Sequence, residues 1–143
     1  PQKMFAIKNL DMECDFIETI SKIKFENEDV YYKGVVQHFY IAIESALNFL
    51  LLSENINLNK ANDHDLKGKY NLLNLKTKNQ LNLNLPNQNL YNEIRFCGKL
   101  VKKVLSKWNI SICYLDDALN TLIYFIINNY KDSTLIYLLE ERK

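Results

Sequence analysis

Glycine and proline are scarce in this chain of 143 residues, which contains three glycines and two prolines. A β-sandwich requires many turns and a phosphate-binding loop requires several glycines, so the sequence disfavours both. Long helices tolerate the scarcity, because glycine and proline destabilise helix interiors. The composition therefore predicts an all-α fold, and the length predicts one domain over residues 1–143.

Net charge is also low, because 18 lysine and arginine residues are balanced by 17 acidic ones. No global field attracts nucleic acid or a membrane, so any nucleic-acid surface must be local. Cys14, Cys97 and Cys113 lie far apart without a Cys-x-x-Cys pair, which favours buried, reduced thiols over disulfides or a zinc site. This pattern predicts a cytoplasmic protein that uses neither a metal nor another cofactor.

Long apolar runs are lacking too. Residues 4–10 do not have the apolar run of a signal sequence, and the longest uncharged stretch, residues 118–130, contains three asparagines and a threonine. A membrane-spanning helix needs ~20 mostly apolar residues. We therefore expect a soluble protein that does not have a membrane as a partner.

Residues 29–53 carry the strongest helical pattern. On a helical wheel Lys33, Gln37, Glu44 and Asn48 fall on one narrow polar strip, while apolar side chains take most of the remaining circumference. A helix with so wide an apolar arc must be packed on several sides. The pattern therefore predicts that this helix is the centre of a bundle.

Apolar residues at helical spacing predict further helices on both sides of the central one. Their expected ranges are 3–25, 64–75, 89–108 and 113–129, with a short helix within 132–143. Asn62 or Asp63 is expected to cap the helix over 64–75. Residues 76–89, which contain Pro86 but no aromatic or acidic residue, are predicted to form an exposed loop within the domain.

Two apolar patterns allow more than one interpretation. The alternating leucines at positions 81, 83 and 85 could form a short extended edge within the predicted loop. Residues 122–127, LIYFII, are apolar all round, so they are either enclosed by the rest of the chain or held against a second subunit.

The segment over residues 31–75 resembles the HEPN family of small helical domains. In that family an apolar helix of the form aromatic-x-Ala-x-Glu-x-Ala-Leu is followed by a polar loop and by a His-Asp-Leu that opens the next helix. The matching residues here are Tyr40, Ala42, Glu44, Ala46, Leu47, His64, Asp65 and Leu66. The resemblance implies an up-and-down bundle of four to six helices, usually dimeric, from toxin–antitoxin pairs, phage-defence systems or partners of nucleotidyltransferases.

Many members of the family are metal-independent ribonucleases, and the pattern of their catalytic residues can be compared with this sequence. Active members carry an arginine followed five to seven positions later by a histidine, which can act on the ribose 2′-hydroxyl and the scissile phosphate. This chain departs from the pattern, because its arginines are Arg95 and Arg142 and its histidines, His38 and His64, both precede them. We therefore predict a non-catalytic module that works through protein contacts, with RNA or a nucleotide as a possible ligand.

Two alternatives stay open beside the non-catalytic module. One is a ribonuclease that combines Arg95 with His38 or His64, and the other is a structural helical interaction protein unrelated to HEPN. A catalytic His38 would need a carboxylate or a nucleophile from another helix, and the sequence identifies none. His64 lies where a helix begins, which favours a structural role. The expected protein partner is a second copy of the chain or a nucleotidyltransferase-like protein.

The helix predicted over 89–108 has a basic outer face, formed by Arg95, Lys99, Lys102, Lys103 and Lys107 without an intervening acid. Cations one turn apart can follow phosphates, and each neutralised phosphate releases counterions. No aromatic residue is expected to interleave with them, so RNA binding at this face would tolerate any sequence. A solvated helix face is the alternative.

Overall fold

The computed structural model describes residues 1–23, 28–61, 64–97, 101–131 and 136–142. Within these ranges the chain forms helices and no strand, which confirms the all-α fold. The helices are α1 (Gln2–Ser21), α2 (Glu28–Ser53), α3 (Leu58–Ala61), α4 (Leu66–Leu72), α5 (Leu75–Leu81), α6 (Gln88–Phe96), α7 (Val101–Lys107), α8 (Ile112–Asn129) and α9 (Tyr137–Glu140). Their number exceeds the four to six expected, because short helices occupy stretches that were predicted to be loop or continuous helix.

Helix α2 lies at the centre, because helices α1, α4, α6, α7 and α8 all pack against it. The apolar arc is buried as predicted, with side chains such as Ile43, Leu47 and Leu50 fully enclosed. Each such side chain contributes roughly 1.5–3 kcal/mol relative to an exposed one. The polar strip keeps partial contact with solvent along the length of the helix. The prediction of a central helix is therefore confirmed.

Helices α1 and α2 pack antiparallel, and polar side chains pair along their seam. Asn9 Nδ2 donates to Ser45 Oγ at 2.6 Å, and one turn further along α1 the buried Glu13 contacts His38. The chain positions rise on α1 as they fall on α2, which defines the direction. These pairs satisfy polar groups that would otherwise be buried without partners.

The predicted loop over 76–89 is partly wrong. Residues 76–81 belong to helix α5, whose Leu81 is buried, and Leu85 is buried beyond it. Glu54 holds the start of α5, because its carboxylate accepts hydrogen bonds from the Asn74 backbone N–H and from Thr77 Oγ1. The helix ends where Asn82 adopts a left-handed conformation. Leu81 and Leu85 therefore serve the core, and the alternating leucines form no strand in the described part of the chain.

Two further helix predictions need correction. The helix expected over 89–108 is two helices, since α6 ends at Phe96 and α7 begins at Val101. Residues 98–100 lie outside the described residues, as do Asn62 and Asp63, which were expected to cap the next helix. The cap of α4 is Asp65, whose side chain accepts a hydrogen bond from the Gly68 backbone N–H at 2.8 Å.

The apolar run over 122–127 is mostly enclosed by this chain. Leu122, Ile123, Ile126 and Ile127 are buried, while Tyr124 is exposed on the outer side of α8. Of the two interpretations of this run, enclosure therefore accounts for its buried residues.

The end of the chain is attached to α1. Arg142 Nε donates to Asp11 Oδ1 at 2.9 Å, and Nη2 donates to the Asp11 backbone carbonyl and to Asp15. Beneath this contact Cys14 is buried, and burial raises the pKa of its thiol to about 11. Cys97 is partly exposed and Cys113 is exposed, so the prediction of buried thiols is confirmed for Cys14 and wrong for Cys113.

Helix α2 is long and apolar enough to cross a membrane by length and composition. However, 61% of its most apolar window is buried inside the protein, as in the core helix of a globular fold. Helices α7 and α8 pass the same test only as a pair, and the pair is bent by 72° at its break. These observations give weak evidence for a membrane segment in the described part of the chain.

Candidate functional site

A cavity of about 620 Å³ opens between α2, the segment that leads into α4, and the start of α6. Its size is in the range of small-molecule sites. The residues that line it are Tyr40, Ile41, Glu44, His64, Asp65, Gln88 and Tyr91. Four of them, Tyr40, Glu44, His64 and Asp65, are among the residues that carry the HEPN resemblance. The fold thus brings two separated parts of that pattern to one place.

Two aromatic rings form the wall of the cavity between α2 and α6. Tyr40 and Tyr91 stack with their centroids 4.1 Å apart, a pair that we call the tyrosine stack. Tyr40 Oη donates to Gln88 Oε1 at 2.6 Å, which ties the start of α6 to the middle of α2. Burial and the carboxylates of Glu44 and Asp65 raise the pKa of Tyr40. Its hydroxyl therefore stays a neutral donor over the physiological range.

Asp65 joins the starts of two helices. Its Oδ1 accepts from the Gly68 backbone N–H at 2.8 Å, and its Oδ2 accepts from the Gln88 backbone N–H at 2.7 Å. Both carboxylate oxygens are therefore committed to backbone amides of α4 and α6. A Cβ at Gly68 would lie 2.9 Å from the Cβ and Nδ1 of His64, so glycine permits the close packing of this turn.

A buried lysine contacts the cavity residue Glu44 from the interior of the protein. The side chain of Lys69 on α4 is 4% exposed, and its Nζ lies 3.3 Å from Glu44 Oε2. The same Nζ donates to Asn48 Oδ1 at 2.9 Å. Sequence reasoning missed Lys69. The available signal was the spacing of Glu44 and Asn48, which are one helical turn apart on an otherwise apolar helix and therefore offer two oxygens to one partner.

The two histidines lie at different places. His64 is exposed and lines the cavity. His38 lies at the seam of α1 and α2, where its Nδ1 is 2.5 Å from Glu13 Oε2 and its ring packs against Phe16. Glu13 is the carboxylate that the sequence did not identify. Its proximity to Leu10 and Cys14 on the inner edge of α1 was the signal that could have revealed it.

Arg95 lies one helical turn from the cavity residue Tyr91. It is four residues after Tyr91 on α6, and helical residues four apart share a face. Its guanidinium lies over the ring of Phe96, with 5.5 Å between the guanidinium carbon and the ring centroid. Arg95 is exposed and forms no ion pair with any residue that the structure describes. Its charge is therefore available to a ligand.

The basic face is less continuous than the sequence indicated. Lys102 pairs with Glu28 and lies over the ring of Tyr32, while Lys107 pairs with Glu93 at 3.2 Å. Lys103 is exposed and has no ion pair within the described ranges. Lys99 lies outside the described residues. Aromatic rings adjoin these cations after all, which corrects the prediction that none would.

Helices α6 and α7 run antiparallel to α2, because Tyr91 stacks on Tyr40 while Lys102 contacts Tyr32. Arg95 lies one turn beyond Tyr91 on α6, and Gln37 and Lys33 lie one and two turns before Ile41 on α2, while Tyr91 and Ile41 both line the cavity. We call the surface that runs from the cavity to these residues the α2–α6 groove. Its cavity end contains carboxylates, and its other end contains the cations Arg95 and Lys33.

The described residues contain no group of three or more His, Cys, Asp or Glu side chains that could hold a metal ion. In the comparisons with known proteins, no protein-family model, no curated protein and no solved structure matches the chain.

Proposed function

We propose that the chain is a non-catalytic, HEPN-like helical module of a toxin–antitoxin, phage-defence or nucleotidyltransferase-associated system, and that it binds single-stranded RNA or a nucleotide in the α2–α6 groove. One observation carries the binding proposal. The tyrosine stack and the unpaired Arg95 lie one helical turn apart on the same face of α6. A base-stacking surface next to a free cation is the minimal arrangement for single-stranded RNA.

The cations of the groove supply the electrostatic part of the proposed binding. Arg95 and Lys33 form no ion pair with described residues, so a phosphate does not have to displace an internal carboxylate. Each phosphate that they neutralise releases counterions, which makes the affinity depend on salt. Arginine also donates two parallel hydrogen bonds to a phosphate.

The tyrosine stack supplies the apolar part. Tyr91 is partly exposed, so a base can extend the stack on its outer side. Stacking on an aromatic side chain contributes roughly 1–3 kcal/mol per base. The groove therefore offers a nucleotide both a ring surface and a phosphate partner.

The protein-contact part of the proposal is supported by helix α1. Phe5, Met12 and Phe16 are all exposed there, and their spacing of seven and four residues places them on one face. An exposed apolar stripe of this kind is typical of a surface that another protein covers. A second copy of the chain or a nucleotidyltransferase-like protein is the partner that we propose for it.

The positions after Arg95 support the non-catalytic part of the proposal. A catalytic histidine of the family pattern would stand at residues 100–102. Val101 is buried in the core and Lys102 is held by Glu28, while residue 100 is outside the described ranges and is a leucine in the sequence. None of the three side chains can act as a general base at neutral pH.

Ribonuclease activity is the second candidate, and one observation favours it. His64 and Tyr91 line the same cavity, and Arg95 lies one helical turn beyond Tyr91 on α6. His38 is a weaker choice, because it lies at the α1–α2 seam. Incubation of the purified protein with RNA in EDTA tests this candidate. Cleavage that is lost in both Arg95→Ala and His64→Ala would establish the enzyme and refute the non-catalytic proposal.

RNA binding is tested by fluorescence anisotropy with a short labelled single-stranded RNA over a series of salt concentrations. Arg95→Ala is expected to weaken binding about tenfold, as for the loss of one hydrogen bond to a charged group. It should also lower the salt dependence by about one phosphate. Lys8→Ala is the control, since it removes one charge from the exposed side of α1. Equal affinities for the two variants would contradict the proposal.

A further inference from the structure

Some of the hydrogen-bonding groups that line the cavity have capacity beyond their contacts within the protein. Both oxygens of Asp65 accept hydrogen bonds from backbone amides. A carboxylate can accept about four hydrogen bonds, and Glu44 is contacted by Lys69 through Oε2. Lys69 is buried and contacts Glu44 through that oxygen. Glu44 Oε1 therefore has capacity for a ligand, and what it can bind is an N–H or O–H donor.

Gln88 offers mixed hydrogen bonding beside Glu44. Its Oε1 accepts from Tyr40 Oη, which fixes the amide, and its Nε2 donates to Asn92 Oδ1 at 3.2 Å. An amide nitrogen carries two hydrogens, so one remains for a ligand. The cavity thus places a carboxylate acceptor and an amide donor next to the tyrosine stack, a set that matches the edge and the face of a heterocyclic base.

The charge distribution orients such a ligand. Carboxylates at the cavity end of the α2–α6 groove repel a phosphate, and Arg95 and Lys33 at the other end attract one. A nucleotide therefore enters with its base in the cavity and its phosphate toward Arg95.

We infer that the cavity selects a base with an exocyclic amino group, as in adenine or cytosine, through donation from that amino group to Glu44 while the ring stacks beside Tyr91. This inference rests on the proposed binding of RNA or nucleotides in the groove. Uracil and hypoxanthine present a carbonyl oxygen where cytosine and adenine present the amino group. A carbonyl oxygen facing the Glu44 carboxylate is repelled, because both groups are acceptors.

Matched nucleotide pairs test the selection directly. AMP and IMP differ only at C6 and N1, and CMP and UMP differ only at C4 and N3, so ring size and stacking are nearly constant within each pair. Binding is measured by NMR titration of the whole chain. AMP and CMP are expected to bind about tenfold more tightly than IMP and UMP, the scale of one good base-edge contact.

The variant that removes the acceptor has to keep the fold. Glu44→Leu alone leaves Lys69 buried without its ion partner, so it is combined with Lys69→Met, which replaces the ion pair with apolar groups of similar volume. A thermal melt confirms that the double variant is folded. It is expected to lose the preference within both pairs. Glu93→Gln, which removes an acid of α6 outside the cavity, is expected to keep it.

The outcomes separate the inference from the proposed function. Equal binding within both pairs, or shifts confined to residues outside the cavity, would overturn the inference. Displacement of AMP by N-acetylarginine amide at lower concentrations would also overturn it, since the cavity would then be a cation site. Selective binding of AMP without any binding of RNA supports the inference and contradicts the RNA part of the proposed function. RNA binding that depends on Arg95 but shows no base preference supports the proposed function and contradicts the inference.

Discussion

Helix α2 presents polar residues on two flanks, and the flanks use them differently. Toward α1, Ser45 and His38 each find a partner on the neighbouring helix, in Asn9 and Glu13, and the seam is closed. Toward α4 and α6, Glu44 and Tyr40 also have partners, yet these groups surround an open cavity of about 620 Å³. One flank therefore stabilises the fold, while the other retains capacity for a ligand.

The comparison shows why a polar residue on a buried helix does not reveal its role by itself. The sequence offers both His38 and His64 as candidates for catalysis and favours a structural role for each. His38 lies in the closed flank, with its Nδ1 on a glutamate that is 5% exposed, and His64 lies in the open one. The two histidines differ in whether the chain itself supplies all of their partners. That difference depends on contacts between positions that are distant in the sequence.

The largest effect on stability is expected from a substitution in the closed flank between α1 and α2. Glu13→Ala removes the partner of His38 from the seam and is expected to lower the free energy of unfolding by about 3 kcal/mol, because a buried polar group loses its hydrogen bond. Urea denaturation monitored by circular dichroism measures the change. Glu18→Ala, an exposed acid on the same helix, is the control and should have an effect within about 0.5 kcal/mol. Similar losses for the two variants would mean that the seam does not depend on this pair.

A smaller effect concerns the burial of Cys14 on the inner side of α1. Its pKa rises from 9.0 to about 11 in the folded protein because of burial. Between these values the unfolded chain loses the thiol proton while the folded chain keeps it, so increasing pH favours unfolding. The contribution is fully present below pH 9 and is lost as the pH approaches 11, and its expected size is about 2 kcal/mol.

Denaturation of the wild type and of Cys14→Ala at several pH values measures this contribution, since the other titrating groups are common to both proteins. The stability advantage of the wild type should shrink between pH 8 and pH 11. Thiol labelling adds an internal comparison, because exposed Cys113 should react at pH 8 long before Cys14. A constant stability difference, or equal labelling rates, would show that Cys14 is not enclosed as described.

The sequence predicted the parts of the fold that depend on local periodicity. The apolar arc of residues 29–53 identified α2 as the central helix, and the ranges of α1 and α8 were close to those observed. It failed at 76–89, where asparagine and lysine suggested a loop although leucines anchor α5 and the following segment to the core. The reason is that Glu54, twenty residues earlier, supplies the cap of α5. No local pattern contains that contact.

The candidate site was predicted in part for the same reason. Four residues of the HEPN-like pattern do line the cavity, and Arg95 lies one helical turn from the cavity residue Tyr91. Lys69, Gln88 and Tyr91 were missed, because their roles come from contacts across helices. The basic face was overestimated for a related reason. A count of cations along one helix does not reveal which of them have acidic partners on another helix or on a preceding turn.

The smallest effect on RNA binding is expected from a lysine that already has an acidic partner. Lys107 is already paired with Glu93, so the two charges nearly cancel at a distance and a phosphate gains little from the lysine. Lys107→Ala is therefore expected to change RNA affinity less than twofold, whereas Lys103→Ala, which removes an exposed cation without a described ion partner, should weaken binding more. Arg95→Ala should exceed both. Anisotropy at low salt measures the order, and a Lys107→Ala effect as large as that of Arg95→Ala would mean that RNA follows the whole basic face rather than the α2–α6 groove.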